Sequence, residues 1–297
     1  GGNAFVPPIK GTEKRGVFTL RLMKDAIGMK EFSGGVRQAI LVGGGLVGLE
    51  TGGALLRRGI KVAVIEHNPR ILPRQMDPEG AKILQRKMES MGFSLFLNSQ
   101  SEEIIGKETV EGLRLKDGRT VEGQMVIISA GVKPNIKLAQ AMGLETKNGI
   151  LVDDRLATKM EGVFAAGDVA EHRGRVYGIW PAAQRQGETA GINMSGGNSL
   201  YEGTVVSNTL KVVGIDLTSG GDIDAESKLG CVVKSDLEKC VYCKVVFKEN
   251  KAVGCILLGE VKAKSEILNA VEGKNDLNKI RDSLSKEGFD FKKLGED

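Results

Sequence analysis

Gly43, Gly45 and Gly48 stand in the order G-x-G-x-x-G, and Glu66 follows 18 residues after the last of them. Three positions without side chains and one later carboxylate suit a nucleotide that carries a pyrophosphate and a ribose. Gly43 permits a tight turn, Gly45 lets a pyrophosphate touch the main chain, and Gly48 lets the following helix pack on its sheet. The helix N-terminus then offers N–H groups and a positive dipole end to the phosphates. A carboxylate at Glu66 accepts from the ribose 2′- and 3′-hydroxyls and repels a 2′-phosphate, which favours NAD over NADP. Arg70 and Arg74 lie nearby and soften that preference. The plainer alternatives are a ligand-free glycine turn and a solvated charge at a strand end. A second constellation is GVFAAGDVAE, 162–171, where small residues again allow close approach and Asp168 can accept from a polyol. A strand-end Asp, however, is often only a helix N-cap.

These residues need elements to hold them. RQAILVG, 37–43, is a short Ile/Leu/Val-rich run and reads as a buried parallel strand. Leu46 to Arg58 has helical spacing and closes at Gly59. KVAVIE is a second strand, Asp77-Pro78 opens a helix that ends at Gly92, and FSLFLN is a third strand. Strand–helix–strand–helix–strand is the doubly wound α/β pattern of a Rossmann-type sheet. After Ser99 the pattern alternates and carries Asp117-Gly118, so an antiparallel β insert is expected, with QMVIISAG as a return strand. A short helix over 135–143, a strand over 162–166 and a helix over 181–193 follow. From about Val205 the chain reads as strands and then one amphipathic helix, KSEILNAVEG, which makes an α+β C-terminal domain.

Composition excludes several classes. The 297 residues suggest about two domains. A net charge of +4 without a Lys/Arg run, and 4% aromatic residues, argue against nucleic acid or an anionic membrane as partner. No apolar stretch reaches the length of a membrane span, and no signal peptide opens the chain. Four cysteines without even spacing read as reduced thiols of a cytoplasmic protein. Cys240-Val241-Tyr242-Cys243 is a C-x-x-C inside an alternating strand pattern, so its thiols point to opposite faces; buried structural cysteines are expected rather than a redox pair. With Cys231 and Cys255 the spacing fits no zinc framework, so no metal site is expected. His67 and His172 have no Ser or Cys partner in motif context, which argues against hydrolase chemistry.

ILVGGGLVGLE…KVAVIEHNPRILPRQMD, MVIISAGVKPN, GVFAAGDVAE and WPAAQRQGETAGIN, in this order, resemble the pyridine nucleotide–disulfide oxidoreductase superfamily of FAD enzymes. The nearest likeness is to its NADH-dependent group of rubredoxin and ferredoxin reductases, NADH oxidases and nitrite reductase flavoproteins. The resemblance implies an NAD domain inserted into an FAD domain, followed by an interface domain. The expected division is 1–32 as a remnant of the FAD-binding domain, 33–155 for NAD, 156–198 as its second FAD segment, and 199–297 as the interface domain. It implies cofactor contacts at Gly131, Gly167, Asp168, and Ala182 and Ala183, whose helix would face the flavin, with Arg21 of the TLR triplet close to it. Trp180 matches a residue beside the nicotinamide; a lone Trp before a helix is otherwise a hydrophobic anchor. Glu50 matches a glutamate near nicotinamide and flavin that pairs with a lysine; otherwise it is an acid in the first helical turn, stabilised by about 0.3–1 kcal/mol.

The family's first G-x-G-x-x-G, for FAD, is not in this sequence. The chain is therefore expected to resemble a member without its N-terminal FAD half, to bind NAD alone, and to hold FAD weakly or not at all. The implied chemistry is hydride transfer from NADH to flavin, with electrons passed to a redox partner such as rubredoxin, ferredoxin or a nitrite reductase centre. Alternatives are a non-catalytic NAD-binding subunit, or an NADH oxidase or disulfide reductase whose redox cysteine lies outside the chain. Residues 199–297 would serve a homodimer contact or acceptor docking.

Overall fold

The computed structural model describes residues 1–249, 251–259 and 264–273. In chain order the elements are β1 (Gly2–Ala4), β2 (Val17–Thr19), α1 (Met23–Phe32), β3 (Gln38–Val42), α2 (Leu46–Leu56), β4 (Lys61–Ile65), α3 (Pro78–Ser90) and β5 (Phe93–Phe96). Then come β6 (Ser101–Ile105), β7 (Gly112–Leu115), β8 (Thr120–Glu122), β9 (Met125–Ile128), β10 (Val132–Pro134), α4 (Lys137–Ala141), β11 (Ile150–Val152), β12 (Ala170–His172) and α5 (Trp180–Met194). Strands β13 (Ser207–Val212), β14 (Ile215–Gly221), β15 (Gly230–Asp236), β16 (Val241–Lys248) and β17 (Lys251–Leu258) precede α6 (Lys264–Gly273). Two compact units result. One holds residues 1–5 and 131–206; the other holds residues 6–130 and the described residues from 207 on.

The larger unit is built on a parallel sheet in the order β2-β9-β3-β4-β5. Its strands are apolar on both faces, as a parallel sheet covered on both sides requires. Leu41, Val62, Val64, Met125 and Ile127 pack with Leu49, Leu84 and Met88 on the helical side. Ile40, Val42, Ala63, Ile65, Val126 and Ile128 face Ile104, Leu113, Leu115 and Val121 of the antiparallel sheet β6-β7-β8. Each fully buried Val, Leu, Ile or Met side chain among them contributes about 1.5–3 kcal/mol. Residues 6–32 supply β2 and α1 to this unit. Helix α3 starts where Asp77 accepts from Gly80 N–H (2.9 Å), with Pro78 next. Helix α2 stops before Gly59, whose φ of +79° is the left-handed ending a glycine adopts without strain.

The same unit carries the antiparallel sheet β13-β14-β17-β16-β15, with α6 packed on β17 and β14. The runs LKVVGIDLTSGG and KCVYCKVVFKENKAVGCILLGE each hold a hairpin. The first turns at Val213-Gly214, both with positive φ (+53° and +87°), as a two-residue hairpin demands. Val213 is β-branched and strained there. It is held because it is buried against α2, where a Cβ on Gly53 would lie 2.9 Å from Val213 Cγ1. Residues 274–297, the end of the expected interface domain, lie outside the described residues.

In the smaller unit β1 pairs antiparallel with β10 and β11 pairs parallel with β12. The start of the chain therefore contains a short strand. The expected strand over 162–166 is also corrected. The segment makes one isolated bridge, Ala157 to Phe164, and the strand comes later, as β12. Gly162 and Gly167, both with positive φ (+73° and +81°), bend the chain at each end of the apolar run. A small core of Leu156, Ala190 and Tyr201 joins α5 to the segment after it. Among the described residues no helix is long and apolar enough to cross a membrane.

Candidate functional site

The glycine turn between β3 and α2 separates two kinds of glycine. Gly43 has φ +110°, and a Cβ there would lie 2.4 Å from the Ser129 carbonyl oxygen. A Cβ on Gly48 would lie 2.8 Å from the Gly43 carbonyl oxygen. Both contacts are with backbone, so the fold itself requires these two glycines. Gly45 differs: its φ is −85°, and the nearest atom to an added Cβ is 4.0 Å away. Nothing among the described residues demands glycine there. It is the N-cap of α2 and offers no side-chain cap, so the first-turn N–H groups remain available.

Glu66 closes the other side. It is 4% exposed, so the solvated strand-end charge is excluded. Its Oε2 accepts from Gly44 N–H (2.7 Å) and its Oε1 from Asn68 N–H (2.8 Å) and Asn68 Nδ2 (2.7 Å), with His67 Nδ1 at 3.1 Å. Oε2 keeps further acceptor capacity beside the glycine turn. Arg70 is engaged elsewhere: its Nε and Nη2 donate to the carbonyls of Met76 (3.0 Å) and Pro73 (3.3 Å). Arg74 is exposed.

Glu50 requires a correction. Helix α2 begins at Leu46, directly after the glycine turn, so Glu50 is its fifth residue and has left the first turn. The dipole argument, which fades beyond that turn, does not apply. Instead Glu50 Oε1 accepts from Val213 N–H (3.2 Å) and helps hold the strained hairpin tip.

In the smaller unit, Gly167 and Asp168 form a 3₁₀ turn. Gly167 N–H donates to Gln186 Oε1 (2.8 Å), while Gln186 Nε2 is buried without a partner among the described residues. A Cβ on Gly167 would lie 3.6 Å from the Ala183 Cβ. Helix α5 starts at Trp180 with no side-chain cap, and Trp180 itself is 81% exposed, which does not fit a hydrophobic anchor. Ala182 is buried. Arg21 is exposed in the larger unit, and Gly131, with φ +104°, opens the segment leading into β10. An orphaned buried donor, a small-residue turn and an uncapped 15-residue helix fit a polar, anionic cofactor such as FAD. Gln186 was not singled out from sequence, because glutamine in a helical run carries no spacing signal.

The C-x-x-C also differs from expectation. Cys240 is a turn residue (φ +55°) ahead of β16, not part of the strand. It and Cys243 are buried, as is Cys255, while Cys231 is exposed. Burial holds the Cys243 and Cys255 thiols up at about 12 and raises Cys240. Such thiols are poor nucleophiles.

The doubly wound sheet with its glycine turn defines a Rossmann-type protein. The family described as pyridine nucleotide-disulphide oxidoreductase matches residues 1–187, and the rubredoxin NAD+ reductase C-terminal domain matches residues 207–275. The chain belongs to the pyridine nucleotide–disulphide oxidoreductase family, whose members are NAD(P)H-dependent flavin oxidoreductases. It is 34% identical over 279 residues to a nitrite reductase [NAD(P)H] of Bacillus subtilis, covering 94% of this chain but 35% of that protein. It is 30% identical over 266 residues to an NADH-rubredoxin oxidoreductase of Clostridium acetobutylicum, covering 89% of this chain and 66% of the relative. A ferredoxin reductase of Rhodopseudomonas palustris shares the fold, with a TM-score of 0.86 at 21% identity over 99% of this chain and 74% of that one. The chain thus spans about a third of the length of the nitrite reductase.

Proposed function

We propose that this chain is the pyridine-nucleotide-binding part of an NADH-dependent flavin oxidoreductase that passes electrons to a redox protein or a nitrite reductase centre. The observation that carries the proposal is Gly45, a glycine the fold does not need, at the uncapped start of α2. A pyrophosphate lying on that backbone accounts for it. In this reading Gly43 and Gly48 shape the cradle, and Glu66 accepts from the adenosine ribose while its charge disfavours a 2′-phosphate. The resemblance implies a nicotinamide role for Trp180 in the smaller unit and, separately, for Glu50 in the larger one. Within the smaller unit Gly167, Asp168, Ala183 and Gly131 contact FAD, with Gln186 fixing the Gly167 turn; Arg21, in the larger unit, keeps only the flavin role that the resemblance implies. The chemistry supplied by bound FAD is acceptance of a hydride from NADH and onward delivery of electrons.

The domains would then be 1–32 and 156–198 for FAD, 33–155 for NAD, and 199–297 for a homodimer or acceptor contact. Cytoplasmic residence is supported by four free cysteines. The names of the relatives, which include nitrite reductase and NADH-rubredoxin oxidoreductase, support this acceptor class. The test is NADH and NADPH affinity measured by fluorescence at one ionic strength. NADH should bind more tightly, and Glu66→Gln, which keeps the shape but removes the charge, should narrow the gap. Equal or tighter NADPH binding by the wild type overturns the NAD assignment.

A further inference from the structure

The segment from Glu66 to Asp77 links the end of β4 to α3 and is unusually constrained. Leu72 sits at φ +49°, a conformation a γ-branched residue holds only when its surroundings compel it. Its N–H donates to the Gly44 carbonyl (3.0 Å), and the Gly44 N–H in turn donates to Glu66 (2.7 Å). Both Gln75 and Met76 donate back to the Leu72 carbonyl (2.9 Å each), and Arg70 bonds the Met76 carbonyl. Ile71, Leu72 and Met76 are fully buried. The segment therefore grips the glycine turn by its main chain on one side and ends in Asp77 on the other.

Asp77 is held from the C-terminal sheet. Its Oδ1 caps α3, while its Oδ2 accepts from Tyr242 Oη (2.7 Å) and Lys244 Nζ (3.0 Å). Lys244 also donates to the Asp224 carbonyl (3.0 Å) and is 1% exposed. A Cβ on Gly80 would lie 2.8 Å from the Tyr242 ring, so α3 and β16 meet closely. A buried lysine paired with a buried aspartate leaves neither free to move without stranding a charge.

We propose that Lys244 and Tyr242 are positioning residues for nucleotide binding: through Asp77 they hold the 66–77 segment in the shape that fixes the glycine turn. The C-terminal sheet thereby sets nucleotide affinity without touching the nucleotide. The inference rests on the glycine turn being the NADH cradle.

The test uses the full chain and two variants, Lys244→Met and Tyr242→Phe, with Leu257→Ala as control. Leu257 is buried in the same sheet but pairs with Cys243, on the face away from Asp77. NADH affinity, melting temperature and amide exchange at Gly44 and Leu72 are measured on each. Lys244→Met is expected to weaken NADH about 3- to 10-fold and Tyr242→Phe about 2- to 3-fold, both with faster exchange at the two amides. Leu257→Ala is expected to lower the melting temperature and leave NADH affinity unchanged. If Lys244→Met does not fold, Tyr242→Phe decides. Wild-type affinity and wild-type exchange in the folded variants would overturn the positioning role alone. A loss in Leu257→Ala matching that of the variants would reduce the effect to general destabilisation and also overturn it. Failure of the wild type to bind NADH would instead remove the nucleotide reading itself, and this inference with it.

Discussion

Gly45→Val separates a glycine kept for a ligand from a glycine kept for the fold. The backbone at Gly45 is extended (φ −85°, ψ 174°), a conformation valine adopts readily, and an added Cβ meets nothing closer than 4.0 Å. The position is an N-cap, where an apolar residue in place of glycine costs up to about 1 kcal/mol. The two methyl groups would stand where phosphate oxygens must come within roughly 2.7–3.2 Å of the first-turn N–H groups. Losing two charge-assisted hydrogen bonds at about 1.5–3 kcal/mol each removes roughly 3–6 kcal/mol of binding. That is a weakening of about 10² to 10⁴. Gly43→Ala should behave oppositely, since φ is +110° and the new Cβ would lie 2.4 Å from a carbonyl oxygen. Its main effect should be on stability, by about 1–3 kcal/mol or more. Urea unfolding followed by far-ultraviolet circular dichroism reads the fold; Trp180 is too exposed to report on it. Calorimetric titration with NADH reads the site. A Gly45→Val protein that binds NADH as the wild type does would refute the cradle, and one that fails to fold would refute the claim that the fold does not need this glycine.

Two further outcomes are expected. Alkylation of the native protein at pH 8 should label the exposed Cys231 and spare Cys243 and Cys255, which burial keeps protonated; labelling of all four should require urea, and mass spectrometry tells the two apart. Asp154 is held at about 2, first by its hydrogen bonds from Arg173 and then by His172, so its folded value lies below the ordinary carboxylate value of about 3.9. Its contribution to stability is therefore complete above that ordinary value and is lost as pH falls toward about 2; Asp154→Asn should flatten the acid limb of the unfolding curve between these limits, and an unchanged limb would count against the assignment.

The parts of this molecule that were legible in its sequence are those whose cause is local. A turn that needs φ +110° at Gly43 and a helix start so close to it that a Cβ on Gly48 would lie 2.8 Å from the Gly43 carbonyl oxygen impose glycine wherever they occur, so the motif announces its own geometry. The N-cap at Asp77 and the stop at Gly92 are of the same kind. The misread places depended on neighbours far along the chain. Nothing in VFAA states whether a partner strand lies alongside it, and one isolated bridge was all it found. Glu66 was legible as an acid at a strand end, but not as a clamp on Gly44, because that depends on how the next turn folds back. Lys244 is the extreme case. In the alternating run VYCKVVFK a lysine ordinarily marks the solvated face, yet α3 covers that face and supplies Asp77 from 167 positions away. A buried charge in a strand is tolerable only with such a partner. The pairing also makes the carboxylate that starts α3 the joint between the C-terminal sheet and the nucleotide segment. A local pattern can specify a cradle; holding it in shape takes a contact that only the completed fold creates.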